Sequence, residues 1–207
     1  MFRKEIITLG NDDSLVIKGP DGQEEPACVL GTQKQGTAYL LIDCSGSMAG
    51  EKMEQARSGA DDFINQSIIK GYGVGLISFN SKASILVSRT CNYADFKCPL
   101  SCINANGTTD MTGALNLAFS VLADTTGTRS VVLVSDGSPD DPVSALSAAR
   151  KLASIGVQLI TIATQDADIA FLASIATARD LAVVVPQNQL QDGISSTVLA
   201  LPLIQKE

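Results

Sequence analysis

The sequence predicts an α/β fold: a doubly wound, mostly parallel six-stranded sheet with one antiparallel edge strand and helices on both faces, preceded by a small N-terminal β appendage. Three observations carry this expectation. From residue 37 onward, short β-rich runs alternate with amphipathic helical patterns. The apolar stock is mainly Ala, Val, Leu and Ile, with only 4% aromatics and no Trp, which suits a parallel sheet buried on both faces. Two of the expected strands, 37–43 and 130–136, look alike, each a β-rich run ending in an aspartate.

The elements follow in order. Residues 1–36 stand outside the alternation; short β-rich runs at 6–9, 15–18 and 28–30, separated by Asn11-Asp12-Asp13 and Gly19-Pro20-Asp21-Gly22, suggest a meander. The main domain, 37–207, opens with the strand 37–43. In the helix 51–69, Met53, Ala56, Ala60, Phe63, Ile64 and Ile68 share one face, Glu51 and Glu54 lie in the first turn, and Gly71 ends it. Strands 74–79 and 83–87 are joined by Asn80-Ser81-Lys82, short enough for a hairpin, which makes one edge strand antiparallel. An irregular stretch runs to about residue 109, and a helix carrying Met111, Leu115, Ala118 and Leu122 leads to the strand 130–136.

Asp141-Pro142 is a strong helix start, with a capping carboxylate and a proline at the first helical position. The expected buried stripe is Val143, Leu146, Ala149, Leu152 and Ala153, ending at Gly156. Strand 157–163, a short helix 168–176, strand 181–185 and a last helix over about 188–203 complete the domain, with Leu190, Ile194, Val198, Leu199 and Leu203 expected in the core. The main domain thus has six strands and five helices.

Composition narrows the function. The chain has 207 residues, 15 Lys plus Arg and 22 Asp plus Glu, for a net charge of −7, which argues against a nucleic-acid partner. Charged residues make up 18%, below the roughly 25% of an average soluble domain, in keeping with a sizeable core. There is no histidine, which excludes a Ser-His-Asp triad and a His-rich zinc site. No apolar run approaches the roughly 18 residues that cross a bilayer, and the apolar stretch after Arg3-Lys4 is too short for a signal peptide. A cytoplasmic protein without a membrane partner is expected, and five cysteines, an odd number, fit that.

The chemistry gathers where the first main strand ends. In an extended Asp43-Cys44-Ser45-Gly46-Ser47 segment, residues 43, 45 and 47 project to one side. In an open α/β sheet, ligands bind beyond the carboxyl ends of the strands, where strand order reverses. If the strands ending in Asp43 and Asp136 flank that point, two carboxylates and several hydroxyls make an all-oxygen site, suited to a hard ion such as Mg2+ or Mn2+.

Asp43-Cys44-Ser45-Gly46-Ser47-Met48, Gly107-Thr108-Thr109-Asp110-Met111-Thr112-Gly113-Ala114-Leu115 and Val132-Leu133-Val134-Ser135-Asp136-Gly137 resemble, in order, the three parts of the metal-ion-dependent adhesion site (MIDAS) of von Willebrand factor A (vWA) domains. The resemblance covers about residues 37–203. It implies a Rossmann-like vWA fold of the stand-alone intracellular type, with Mg2+ or Mn2+ held by the hydroxyls of Ser45, Ser47 and Thr109 and, directly or through water, by Asp43 and Asp136. It further implies a site that is not catalytic: a protein partner's Asp or Glu completes the coordination, and the domain serves as an adaptor alongside ATPases or in multi-protein stress or defence systems. Two other readings of the same residues are a Mg2+-dependent phosphohydrolase with Asp43 as nucleophile, against which position 45 is Ser rather than a second Asp, and a module whose metal is purely structural. Cys91, Cys98 and Cys102 are expected as partly buried loop thiols, and Cys44 as a small core residue pointing away from Asp43 and Ser45.

Overall fold

The structure is a computed structural model, and it describes residues 6–9, 15–18, 24–26 and 36–204. Strands β1 (Ile6–Leu9), β2 (Leu15–Lys18) and β3 (Glu24–Pro26) form an antiparallel meander in which Ile6 faces Lys18 and Val16 faces Pro26. The runs at 6–9 and 15–18 are strands as expected. The third strand is 24–26, and the run at 28–30 lies outside the described residues.

The larger compact unit, Gln35–Ile204, holds β4 (Gly36–Asp43), β5 (Tyr72–Phe79), β6 (Ala83–Thr90), β7 (Arg129–Ser135), β8 (Gln158–Thr164) and β9 (Ala182–Val185). They form one sheet in the order β6-β5-β4-β7-β8-β9, parallel throughout except for the edge strand β6, which runs antiparallel to β5. From β4 the chain first builds outward through β5 and β6, then returns to add β7 on the other side. The reversal of strand order therefore falls between β4 and β7, with Leu41 opposite Leu133 and Ile42 opposite Val134.

Helices α1 (Glu51–Ile69), α2 (Ala94–Cys102), α3 (Met111–Leu122), α4 (Pro142–Ser154), α5 (Ile169–Ile175) and α6 (Leu190–Ser196) cover both faces. Strand alternation divides the interior into two cores. Ala38, Leu40, Ile42 and Cys44 pack with Phe63 and Ile64 of α1 and Ile194 of α6. Tyr39 and Leu41 pack with Leu115 of α3 and Leu152 of α4 on the opposite face. Burying one such Leu, Ile or Phe contributes roughly 1.5–3 kcal/mol, and both faces of β4 are buried along its whole length, so this strand anchors the rim of the sheet rigidly.

Three expectations need correction. The buried stripe of α4 is Ala145, Ala148, Ala149 and Leu152, whereas Val143 is 80% exposed and Ala153 is also exposed. Val143 sits two residues before Ala145, about 200° away around the helix, so it faces solvent. The last helix stops at Ser196 and tightens into a 3-10 turn over Thr197–Leu199. That turn changes the period, so Leu199 and Leu203 are exposed and Leu201 is buried in their stead. Finally, the stretch expected to be irregular contains α2, held to the core by Phe96 and Leu100 four residues apart.

Helix α3 starts on Asp110, whose Oδ1 accepts from the Gly113 amide at 2.8 Å. Asp110→Ala removes this cap and is expected to cost about 1 kcal/mol, a fall in Tm of about 2–4 °C by differential scanning calorimetry.

Candidate functional site

Asp43 and Ser135 end the two strands that flank the reversal of strand order. Both sit on the face of the sheet that carries Leu41 and Leu133, and they meet there: Ser135 Oγ donates to Asp43 Oδ2 at 2.6 Å. The Ser45 amide donates to Asp43 Oδ1 at 2.8 Å. Asp43 is fully buried. Burial raises its pKa above the usual carboxylate range, an effect partly offset by the hydrogen bonds from Ser135 and Ser45.

After Ser45 the backbone leaves the extended conformation and forms a 3-10 turn over Gly46–Met48. It is this turn, not the pleat of a strand, that carries Ser47 back to Ser45, with the two Oγ atoms 3.0 Å apart. Ser47 Oγ donates to Asp136 Oδ1 at 2.7 Å. A hydroxyl has one proton, so the bonds run in one direction, from Ser45 to Ser47 to Asp136. Gly50, at φ 77°, then makes the left-handed bend into α1.

The middle segment is tied to this loop through the backbone. The Gly46 amide donates to Gly107 O at 3.1 Å and the Asn106 amide to Cys44 O at 2.7 Å. Thr109 is buried, and a Cβ built on Gly137 would lie 4.0 Å from Thr109 Oγ1 and 3.9 Å from Ser47 Oγ, so both hydroxyls border the same spot. Thr108 turns away and donates to Asp140 Oδ2 at 2.7 Å, while the Thr109 amide donates to both Asp140 oxygens at 3.2 Å. Asp43, Ser45, Ser47, Thr109 and Asp136 are thus brought together at one rim.

Sequence reasoning missed Lys52 and Asp166. Lys52 is buried, and its ammonium donates both to Asp136 Oδ2 and, at 2.6 Å, to Asp166 Oδ2. Thr164, the last residue of β8, donates to Asp166 Oδ1. Burial works against the Lys52 charge, but the hydrogen bonds to Asp136 and Asp166 outweigh it and raise its pKa; the Lys52 hydrogen bond in turn holds Asp166 below the usual carboxylate range. A signal was present in the sequence. Lys52, Ala56, Gly59 and Phe63 follow the helical spacing of the buried stripe, so the ammonium had to find partners inside.

The donor set fits a hard divalent ion. An octahedron with oxygens about 2.1 Å from its centre has edges of about 3.0 Å, close to the 3.0 Å between Ser45 Oγ and Ser47 Oγ. Among the described residues no group of three or more His, Cys, Asp or Glu could hold a metal ion, so an ion at this rim would depend on hydroxyls as well as carboxylates.

Cys91, Cys98 and Cys102 differ from expectation, whereas Cys44 is a buried core residue as expected. Cys98 and Cys102 are free and exposed, one helical turn apart on α2, and Cys91 is disulfide-bonded. Cys44 is buried with its thiol against Ile42 O, and burial, then the Asp43 charge, push it up to about 12. A cavity of about 330 Å³ lies beside it, lined also by Leu86, Cys98, Cys102 and Ile103.

Comparisons with known proteins agree with this architecture. The family model for the von Willebrand factor type A domain matches residues 39–195. A UPF0353 protein of Mycobacterium ulcerans is 29% identical over 150 residues, covering 63% of this chain and 44% of that protein; one from Mycolicibacterium gilvum is 28% identical with the same coverage. The chain therefore spans less than half the length of the curated relatives it matches. Among solved structures, the vWF domain of the type V pili tip protein Mfa5 from Porphyromonas gingivalis aligns with a TM-score of 0.76 at 14% identity, covering 86% of this chain and 98% of that one. The pilus adhesin SpaC from Lactobacillus rhamnosus GG aligns with a TM-score of 0.69 at 17% identity, covering 82% and 30%. At these identities the structural likeness is one of fold.

Proposed function

Because the chain belongs to the von Willebrand factor type A domain family, we propose that the rim between β4 and β7 is a MIDAS through which the protein binds an acidic side chain of a partner protein. The observation that carries this is the contact of Ser45, Ser47 and Asp136, hydroxyls and a carboxylate from loops 89 residues apart, at the reversal of strand order. Ser45, Ser47 and Thr109 would hold Mg2+ or Mn2+, with Asp43 and Asp136 contributing directly or through water. When bound, the ion supplies a positive charge that neutral hydroxyls leave largely available to an incoming carboxylate.

The chain's own residues prepare the place. Asp43 holds the Ser45 amide and so fixes the start of the loop. Asp140 grips the Thr109 amide and draws Thr108 aside, leaving Thr109 facing Ser47. The N-terminus of α1 opens at the same rim and adds partial positive charge. We read the protein as a binding module rather than an enzyme. Asp43 is fully buried with both oxygens accepting hydrogen bonds, a poor posture for a nucleophile, which counts against phosphohydrolase chemistry.

The test has two stages. Isothermal titration of the full chain with Mn2+ should show one site, weakened about 10–100-fold by Ser45→Ala. The immobilised chain should then recover a partner from the native cell lysate in Mg2+ but not in EDTA, and Ser45→Ala should recover none. Recovery that ignores metal would remove the proposal. A Tm that collapses in EDTA without any metal-dependent capture would instead assign the ion a structural role.

A further inference from the structure

Lys52 poses a physical problem that the proposed adhesion site does not explain. It is the second residue of α1, where the helix dipole disfavours a cation, and it is only 6% exposed, although burying an ammonium is costly unless it is paired. Its pairing is asymmetric. The Asp136 side chain is fully buried while that of Asp166 is 55% exposed. The Asp136 carboxylate is consequently split, with Oδ1 accepting from Ser47 and Oδ2 from Lys52.

We propose that Lys52, tethered by Asp166, is a positioning residue that restrains Asp136 to present only Oδ1 toward the hydroxyls and that sets how strongly the rim attracts a divalent cation. The inference rests on the reading of the rim as a metal site. Lys52 neutralises the carboxylate that would otherwise be the strongest anionic ligand available, which weakens the grip on the ion and leaves more of its charge for an external acidic group. Asp166 has the opposite effect at longer range: it shares the ammonium, and without it the full Lys52 charge would bear on the rim. Thr164, at the end of β8, holds Asp166 in place, so three neighbouring strand ends, β4, β7 and β8, act on one site.

Opposite signs make this testable. Mn2+ affinity of the full chain is measured by isothermal titration calorimetry for the wild type, Asp166→Asn, Lys52→Met and the double variant, with Tm in EDTA as a metal-free control. Asp166→Asn, a change at a half-exposed side chain, should bind Mn2+ several-fold more weakly with little change in Tm. Lys52→Met should bind about tenfold more tightly although its Tm falls, and the double variant should return toward the wild type. If the two single variants shift affinity in the same direction, or Asp166→Asn leaves it unchanged while the wild type binds, Lys52 is a structural ion-pair partner only and the inference is overturned. Should Lys52→Met not fold, Asp166→Asn alone decides. No Mn2+ binding by the wild type would instead overturn the metal reading, and the inference with it.

Discussion

Asp43→Ala should lower Tm in EDTA by about 6–12 °C and abolish measurable Mn2+ binding. The first effect follows from burial. Asp43 is fully enclosed and accepts from the Ser45 amide and the Ser135 hydroxyl. Alanine leaves the Ser45 amide without its acceptor and the Ser135 hydroxyl with only the long contact to Gly137 O at 3.4 Å, at about 1–3 kcal/mol each, so a total near 3 kcal/mol is expected and converts to that fall in Tm for a domain of this size. The second effect follows from position, since the freed Ser45 amide no longer holds the loop that turns Ser47 back toward Asp136. Asp43→Asn separates the two contributions. The amide oxygen can keep one hydrogen bond and the Ser135 hydroxyl can rotate to accept from the new NH2, so Tm should fall by less than half as much, yet Mn2+ affinity should still drop with the lost charge. Calorimetric scans in EDTA and Mn2+ titrations of both variants check this; an Asp43→Ala protein that melts like the wild type would mean that Asp43 does not organise the rim.

What the sequence shows of this fold is what local physics controls. The continuous apolar runs of β4, β7 and β8 and the carboxylate cap of α4 are settled by neighbours in the chain, so their positions agree with the structure to within a residue or two. The features that escaped depend on tertiary approach. Helix α2 carries Pro99 inside it, a residue that locally argues against a helix, and the burial of Phe96 and Leu100 against the α1 side of the sheet, with Asp95 bonded to Thr90 and Asn92 at its start, holds it. Leu199 and Leu203 fit a continued helical period, but the 3-10 turn after Ser196 breaks it.

The site divides in the same way. Asp43 and Asp136 stand at the ends of neighbouring parallel strands, β4 and β7, whereas Ser47 is brought in by the 3-10 turn after β4 and Thr109 by the segment before α3. Of the adjacent threonines the resemblance implies Thr109, and Asp140 supplies the physical reason, taking the Thr108 hydroxyl and leaving Thr109 facing the rim. Asp166 has no motif of its own; its role exists because β8 lies next to β7 and ends level with it, Ser135 opposite Ala163. Lys52 could have been found from its place on the buried stripe of α1, but its partners could not, since they come from two other strands.

Gly59→Leu is the substitution that should most clearly separate the fold from the site. A Cβ built at Gly59 would lie 2.8 Å from Gln191 O, 3.0 Å from Gln191 Cα and 2.9 Å from Ile194 Cβ. Two of these three atoms are backbone, so the contact cannot be relieved by a rotamer change, and α6 must move off α1. That movement breaks the hydrogen bond from the Leu190 amide to Gln55 Oε1, 2.9 Å long, and uncovers Leu190, Ile194 and Val198, each at most 2% exposed. Overpacking typically costs 1–3 kcal/mol; with the lost burial added, about 3 kcal/mol or more is expected, again a fall in Tm of about 6–12 °C. The rim should be spared. Gly59 lies seven residues along α1 from Lys52, about 10 Å at the helical rise, and α6 supplies none of the residues gathered there. Mn2+ affinity measured well below the new Tm should therefore stay within about twofold of the wild type. An unchanged Tm would show that α6 does not pack on Gly59, and a loss of Mn2+ binding in a folded Gly59→Leu protein would show that the two ends of α1 are coupled, so that displacement of α6 reaches the site through the helix itself.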